Sequence, residues 1–542
     1  MNHALRGPGH HRAGAAVLSL ATLATSGVVR PYGPRALGGV GRALVRWGTG
    51  LAGGYASLAA RSPSGIAIDD ELGSITFSDL GAQANALARA LAELGVGEGD
   101  GVALMARNHR WFIITAIAVG RLGADVLYLN TAFSGPQTRE LLEREKPRVL
   151  VHDQEFADVV EGAPADVARI IAWEETPGHR RTLAALVASQ SGEELRPPSR
   201  EGHSVILTSG TTGAPKGASR GSGSLSAGAA LLSRIPLRGG MRVHIAAPLF
   251  HTWGWGHLNL AMLLGSTLVL RRRYEPRDFL STLAQQRCQA AVVIPVMLQR
   301  ALQLPRAELD AYDLSALKIV AASGSALPGD LATAWMDQFG DNLYNTYGST
   351  ECAWVTIAQP AEMRARPGTA GAPPIGTVVA LYDAEGRPST TGQGRIFVRN
   401  GLPFEGYTNG TGKEVVDGMM STGDVGSIRD GLLFVDGRDD DMIVSGGENV
   451  YPQEVEDCLA RHTSVLEVAV VGVDDEAYGQ RLVAWVALRE GATASEDDLK
   501  AHVKAHLARY KVPREVGFVD ELPRNATGKV LKRRLTPTDE SE

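Results

Sequence analysis

Three cysteines in 542 residues, Cys288, Cys352 and Cys458, are too few and too scattered for a disulfide framework, and no Cys-x-x-Cys pair suggests zinc. A reducing compartment, the cytoplasm, is the default for such a chain. Aromatic residues are scarce at 6 %. No uninterrupted apolar run reaches the roughly 18 residues of a membrane span, and the nearest stretch, 13–29, is broken by Gly, Ser and Thr. A positive balance is missing as well. Lys plus Arg is 54 against 60 for Asp plus Glu, a formal charge of −6, which makes the chain a poor candidate for a dedicated nucleic-acid binder. What is present is globular: 44 % hydrophobic residues, in a chain long enough for two to four modules.

One absence is local. Before Asp69 there is no acidic residue but there are seven arginines, at 6, 12, 30, 35, 42, 46 and 61. Leu37, Val40, Leu44, Trp47 and Leu51 fall at helical spacing, with Arg35, Arg42 and Arg46 between them. Such a basic stripe suits a helix packed on the main domain, a helix on an anionic membrane surface, or an Arg-rich leader. Seven glycines between Gly38 and Gly54 weaken the helix expectation. Residues 1–68 therefore read as a basic arm, with a helix and a peripheral membrane contact as the expectations it raises.

Beyond it the pattern alternates strand and helix. Ser78 is a candidate N-cap for an apolar stripe through Leu80, Ala84, Leu87, Leu91 and Leu94, ended by Gly95. Apolar runs recur at 101–106, 205–207, 243–247, 267–270, 290–294 and 317–321, as in layered α/β folds with partly parallel sheets. Residues 365–435, rich in Gly and Pro, read as a small β subdomain. The charged cluster 438–441 reads as a linker. A compact α+β segment follows, with Pro452 opening one helix and Ser495 with Asp498 capping another.

The most informative string is 208–217, Thr-Ser-Gly-Thr-Thr-Gly-Ala-Pro-Lys-Gly, after an apolar strand. Glycines let the main chain approach a polyphosphate closely, hydroxyls donate to it, and a lysine supplies charge. The candidate phosphate ligands are Thr208, Ser209, Gly210, Thr211, Thr212, Gly213 and Lys216. A Walker A loop is excluded, because Pro215 precedes Lys216 and Gly217 follows it.

With this loop, the chain resembles the adenylate-forming superfamily of acyl-CoA synthetases, adenylation domains and luciferases, most nearly bacterial fatty-acyl-CoA ligases. The resemblance spans residues 75–534 and rests on five motifs in family order. It implies an α/β fold with a large multi-layered domain (69–437: α/β subdomains plus a small β subdomain), a hinge at 438–441 and a smaller, mobile α+β domain (442–542). Tyr347-Gly-Ser-Thr-Glu351 resembles the second signature, implying that Tyr347 and Gly348 contact adenine, Thr350 the α-phosphate, and Glu351 a Mg²⁺ ion. A hard cation wants carboxylate oxygen. Ser323-Gly-Ser-Ala-Leu327 resembles the strand bordering adenine and acyl group, through Gly324, Ser325 and Ala326. Asp424 in Ser-Thr-Gly-Asp resembles the ribose clamp, with Arg438 as its companion. Pro523-Arg-Asn-Ala-Thr-Gly-Lys529 resembles the catalytic-lysine motif, Asp440 the hinge residue, and Gly446-Gly447-Glu448 the CoA channel.

The substrate-side motif reads Pro248-Leu-Phe-His251-Thr-Trp253-Gly-Trp255. Amino-acid-activating relatives carry Asp where His251 stands, and an ammonium buried unpaired would be costly. A fatty or aryl acid is expected, its pocket bordered by His251, Trp253, Trp255 and Gly324. The resemblance thus implies ATP-dependent formation of acyl-AMP from a fatty acid, then transfer to CoA. An acyl-AMP ligase serving a carrier protein and an aryl- or small-acid CoA ligase are the alternatives. With only a short tail after Arg534, CoA rather than an appended carrier module is the expected acceptor.

Overall fold

The computed structural model describes residues 4–9, 12–178, 181–209, 215–220, 225–383, 385–389, 392–401, 413–439, 441–445, 448–475, 479–525 and 528–535. Four sheets organise them.

The central sheet has eight strands, in the spatial order Thr356–Ala358, Leu343–Tyr347, Ile319–Ala322, Ala290–Val293, Arg242–Ile245, Thr267–Val269, Ile66–Asp70 and Gly73–Thr76. Its inner pairs are parallel and its two outermost pairs antiparallel. A second sheet of six runs Ala168–Ile171, Val149–His152, Gly101–Met105, Asp125–Tyr128, Ser204–Ser209 and Pro215–Arg220, parallel up to the last hairpin. The apolar runs read from sequence all become strands of these two sheets, within one or two residues.

The helix Arg110–Arg121 is apolar all round, and every residue but Gly120 is buried. Each Ile or Phe sealed there stabilises the fold by about 1.5–3 kcal/mol. Phe112 stacks on Tyr128 with ring centroids 5.2 Å apart. Arg110, nearly buried, is held by Asp70, which also accepts its backbone N–H at 2.9 Å.

The helix Phe77–Glu93 starts one residue before the expected Ser78 cap. Thr76 is the cap: its hydroxyl accepts the Asp79 N–H at 3.1 Å and donates to the Asp79 carboxylate at 2.7 Å. That reciprocal pairing favours Thr76 over Ser78. Gly95 follows the helix at φ +84°, as its position suggests.

The basic arm is more integrated than its composition implies. Ala4–Arg6 pairs antiparallel with Val378–Tyr382, at the edge of a third, antiparallel sheet that also holds Gln393–Arg399, Met419–Arg429 and Leu432–Arg438. Three helices follow: Arg12–Ser26, Pro34–Trp47 and Leu51–Arg61. The last buries Leu51, Tyr55 and Leu58 in the main core, so packing does not respect a boundary at 69. The second tolerates its glycines because Ala43 and Trp47 are buried, with the Arg121 guanidinium 5.6 Å over the Trp47 ring. Leu37 and Leu44 of the expected stripe are exposed. Among the described residues no helix is long and apolar enough to cross a membrane.

The carboxy-terminal lobe builds its own core on a fourth sheet: Glu448–Val450, Ile443–Ser445, Gly479–Leu488, Val465–Asp475 and Glu515–Phe518. Helices Pro452–Ala460 and Glu496–His506 cover it, the second opened by the expected Ser495–Asp498 capping box. The expected linker starts later than 438: Arg438 closes a strand opposite Asp424, and Asp439 pairs with Arg395. The lobe rests on the large domain through Gln299 Nε2, which donates to the Leu466 carbonyl at 2.9 Å, and through an Arg300–Glu521 ion pair.

Candidate active site

The parallel strands of the central sheet end at one cleft of about 2260 Å³, whose far side is the carboxy-terminal lobe. Ile319–Ala322 delivers Ser323, whose hydroxyl donates to the Thr346 carbonyl at 2.8 Å and ties two adjacent strand ends together. Gly324 follows at φ +99°, where an added Cβ would press on Ile294 at 3.2 Å. Gly324, Ser325 and Ala326 all line the cleft.

Leu343–Tyr347 delivers the second signature. At Gly348 a Cβ would sit 2.2 Å from the Ala353 carbonyl oxygen, so only glycine allows the turn. Ser349 stabilises that turn by accepting the Cys352 N–H at 3.1 Å. The turn points Thr350 toward Thr252, whose hydroxyl donates to it at 3.2 Å. Glu351 lines the same cleft.

Asp424 comes from the antiparallel subdomain and crosses to meet these residues. The Tyr347 hydroxyl donates to its carboxylate, and Arg438 Nη1 lies 3.6 Å from it. Burial pushes the Asp424 carboxyl up, while Tyr347, Arg438, Lys413 and Lys529 oppose that shift. Burial, with Asp424 adding to it, pushes the Tyr347 hydroxyl well above its ordinary range, so it remains a donor. Lys413 was not singled out from the sequence; its motif neighbours give it no spacing signal.

Lys529 lies on a tight turn. Its N–H and that of Gly528 both donate to Asn525, at 2.9 Å each, and Arg524 donates to the Gly528 carbonyl at 2.6 Å. Arg524 is itself fixed by Glu467 at 3.1 Å. Gly528 adopts φ +77°, and a Cβ there would meet Val296 at 2.7 Å and Ile294 at 3.0 Å. The turn is therefore seated on the large domain, and Lys529 lines the cleft with Tyr347, Thr350 and Asp424.

The opposite wall comes from the helix Thr252–Leu264, for which His251 is the N-cap residue. His251, half-buried, packs against Phe250 with ring centroids 4.6 Å apart, and desolvation of its ring lowers it to about 4, so it is neutral. Trp253 Nε1 donates to the Val293 carbonyl at 3.1 Å. Trp255 is buried and lines both the cleft and a smaller cavity near Trp47. His257, also missed from sequence, packs edge-on against Trp253 at 4.1 Å and is likewise lowered to about 4 by burial. Helical spacing from Trp253 was the available signal for it.

The expected phosphate loop falls between the paired strands Ser204–Ser209 and Pro215–Arg220, in which Thr208 stands opposite Lys216. Gly210, Thr211, Thr212 and Gly213 lie outside the described residues, as do the side chains of Thr208, Ser209 and Lys216. Asp440, Gly446 and Gly447 also lie outside them, and so does the Glu448 side chain, although its backbone pairs with Ser445.

Residues 56–408 match the family model described as AMP-binding enzyme, and 454–529 match the AMP-binding enzyme C-terminal domain. The chain is 33 % identical over 499 residues to a feruloyl-CoA synthase of Amycolatopsis sp, covering 88 % of this chain and 96 % of that one. It is 33 % identical to an indoleacetate–CoA ligase of Aromatoleum aromaticum, covering 84 % and 92 %. It is 29 % identical to a long-chain-fatty-acid–CoA ligase of Mycobacterium tuberculosis, again covering 84 % and 92 %. An anthranilate CoA ligase solved with anthranoyl-AMP superposes with a TM-score of 0.79 at 27 % identity, covering 89 % and 96 %. With two family models matched in order and the large domain and lobe arranged as in such structures, this chain belongs to the AMP-binding enzyme family of the adenylate-forming superfamily and is an acid–thiol ligase.

Proposed function

We propose that this chain activates an aryl carboxylic acid with ATP and passes the acyl group to CoA. A carboxylate is a poor electrophile, being anionic with a bad leaving group. Its oxygen attacks the α-phosphorus, an O–P bond forms, and pyrophosphate departs with the electrons of the broken P–O bond. The CoA thiol then adds to the carbonyl of the mixed anhydride, AMP leaves, and the thiol proton goes to solvent.

The observation that carries this reading is the seating of the Lys529 turn on Ile294 and Val296, beside Tyr347 and Asp424. An ammonium there offsets the negative charge gathered as carboxylate and phosphate approach. Asp424 accepts the ribose hydroxyls with Arg438 beside it, Tyr347 and Gly348 border adenine, and the 208–216 loop wraps the phosphates. Oxygen donors suited to Mg²⁺ stand together on this wall, the Glu351 carboxylate and the Thr350 hydroxyl. The ion, when bound there, supplies charge neutralisation to the phosphates. Asp440 serves as the hinge, and Gly446, Gly447 and Glu448 border the pantetheine path once the lobe turns.

His251, Trp253, Trp255 and Gly324 border the acid. With His257 behind Trp253, two neutral imidazoles and two indoles suit a flat apolar body without an ammonium. The feruloyl and indoleacetate relatives favour an aryl acid over the fatty acid first expected from sequence. The fatty-acid relative, at lower identity, keeps a long-chain acid in the test. That test is pyrophosphate release from ATP with ferulate, indoleacetate or a long-chain fatty acid, with and without CoA. The expected result is release with an aryl acid and thioester formation with CoA. Release with the fatty acid alone would overturn the substrate class. Acyl-AMP accumulating unchanged by CoA would overturn the acceptor.

A further inference from the structure

The three-cysteine count hides a cluster. Cys458 lies near the end of the helix Pro452–Ala460, and His502 and His506 lie one turn apart on the helix Glu496–His506. One ligand atom from each of the three lies within 4.8 Å of the others. His506 is exposed, so an ion has a way in, while Cys458 is buried between the two helices.

Both imidazoles are already oriented. His502 Nε2 lies 3.1 Å from the Cys458 carbonyl oxygen. A carbonyl can only accept, so Nε2 carries the hydrogen and, in the neutral ring, Nδ1 keeps a bare lone pair. His506 Nδ1 lies 2.8 Å from the His502 carbonyl oxygen, which by the same argument leaves Nε2 bare. Metal-bound imidazoles are held in this way, the second nitrogen donating to a carbonyl. The two rings stand 4.4 Å apart. His462 stands edge-on to His502 at 5.2 Å, but its Nδ1 accepts the Ser464 N–H at 3.3 Å, so its other nitrogen carries hydrogen. It flanks the cluster without completing it.

We propose that Cys458, His502 and His506 bind one divalent transition-metal ion of zinc's class, with a fourth position open to water. A thiolate with two imidazoles selects such an ion over Mg²⁺ or Ca²⁺. Binding forms a sulfur–metal bond and releases the thiol proton to solvent. No local motif announces it, because its ligands come from two helices rather than from a Cys-x-x-Cys turn. The site is separate from the Mg²⁺ position beside Glu351 and lies wholly within the lobe that carries Lys529. Glu456, Asp457 and Ala460, on the same helix as Cys458, line the catalytic cleft. A bound ion thus clamps to its neighbour the helix that walls the cleft.

The test is a titration of the tag-free, chelator-stripped full chain with Co²⁺ alone. The expected result is one equivalent bound, with a thiolate-to-cobalt charge-transfer band in the near ultraviolet and a raised melting temperature. Cys458→Ser should abolish the band. His506→Gln, at an exposed position that leaves the core intact, should weaken binding about tenfold or more. No band in the unaltered chain, or a band and affinity that persist unchanged in His506→Gln, would overturn the proposal.

Discussion

The two walls of the cleft answer the same desolvation in opposite ways. On the wall proposed for the nucleotide, burial pushes the Asp424 carboxyl up while Tyr347, Arg438, Lys413 and Lys529 oppose that shift. On the acid wall, burial lowers His251 and His257 to about 4, and their charge is extinguished. In the proposed reading, one wall supplies counter-charges to hold a fixed polyanion and its diol. The other removes charge and leaves shape. A nucleotide is the same in every member of a family and can be read by motif, whereas an acid varies and is read by packing.

The sharpest way to break the contrast is to remove the charge from the first wall. Asp424→Asn leaves Tyr347 and Arg438 facing a neutral amide and costs about 1.5–3 kcal/mol of charge-assisted hydrogen bonding. The KM for ATP should rise about 10- to 100-fold while the KM for the acid stays within a fewfold. A parallel rise in both would show that the walls are not independent.

A smaller effect is expected from unseating the turn that bridges them. Gly528→Val forces a branched residue to φ +77° and onto Val296. The strain, about 1–3 kcal/mol, should slow pyrophosphate release about tenfold. Thioester formation from supplied acyl-AMP should change little, because it does not need this seat. Equal slowing of both steps would place the strain in the fold rather than in the docking.

The smallest effect concerns pH. His244, His251 and His257 titrate near 4 when folded, below the ordinary 6.5. Between those values the unfolded chain binds more protons, so each histidine makes stability rise with pH. Its contribution is complete above 6.5 and is lost as pH falls toward 4, at about 1.4 kcal/mol per pH unit. Asp436 and Asp457, pushed up to about 6 by burial, act in the opposite sense, so the comparison must be made between variants. Denaturant melts across this window should show a shallower slope for His251→Gln than for the unaltered chain. Identical slopes would mean that His251 is not held neutral by burial.

What was legible in the sequence follows from range. The parallel strands announce themselves because buried strands are continuous apolar runs. The Ser495–Asp498 box is local and legible, whereas the cap of the helix Phe77–Glu93 is Thr76 and not the expected Ser78, because the reciprocal contact with Asp79 decides. The pairing of Ala4–Arg6 with Val378–Tyr382 has no local signature, since its partners stand more than 370 residues apart. The site divides likewise. Tyr347, Asp424 and Lys529 were found through motifs, and the fold brings them to one cleft. Lys413 enters through three-dimensional proximity alone, as do the partners of Cys458, whereas Thr252 sits inside the 248–255 motif and His257 one helical turn beyond Trp253.

The most direct measurement compares the two half-reactions in Lys529→Ala. If an amine from the carboxy-terminal lobe promotes attack on the α-phosphorus, pyrophosphate release from ATP and an aryl acid falls about 10²- to 10³-fold. Thioester formation from supplied acyl-AMP and CoA then stays close to that of the unaltered chain. Equal loss of both half-reactions, or undiminished pyrophosphate release, would contradict that role.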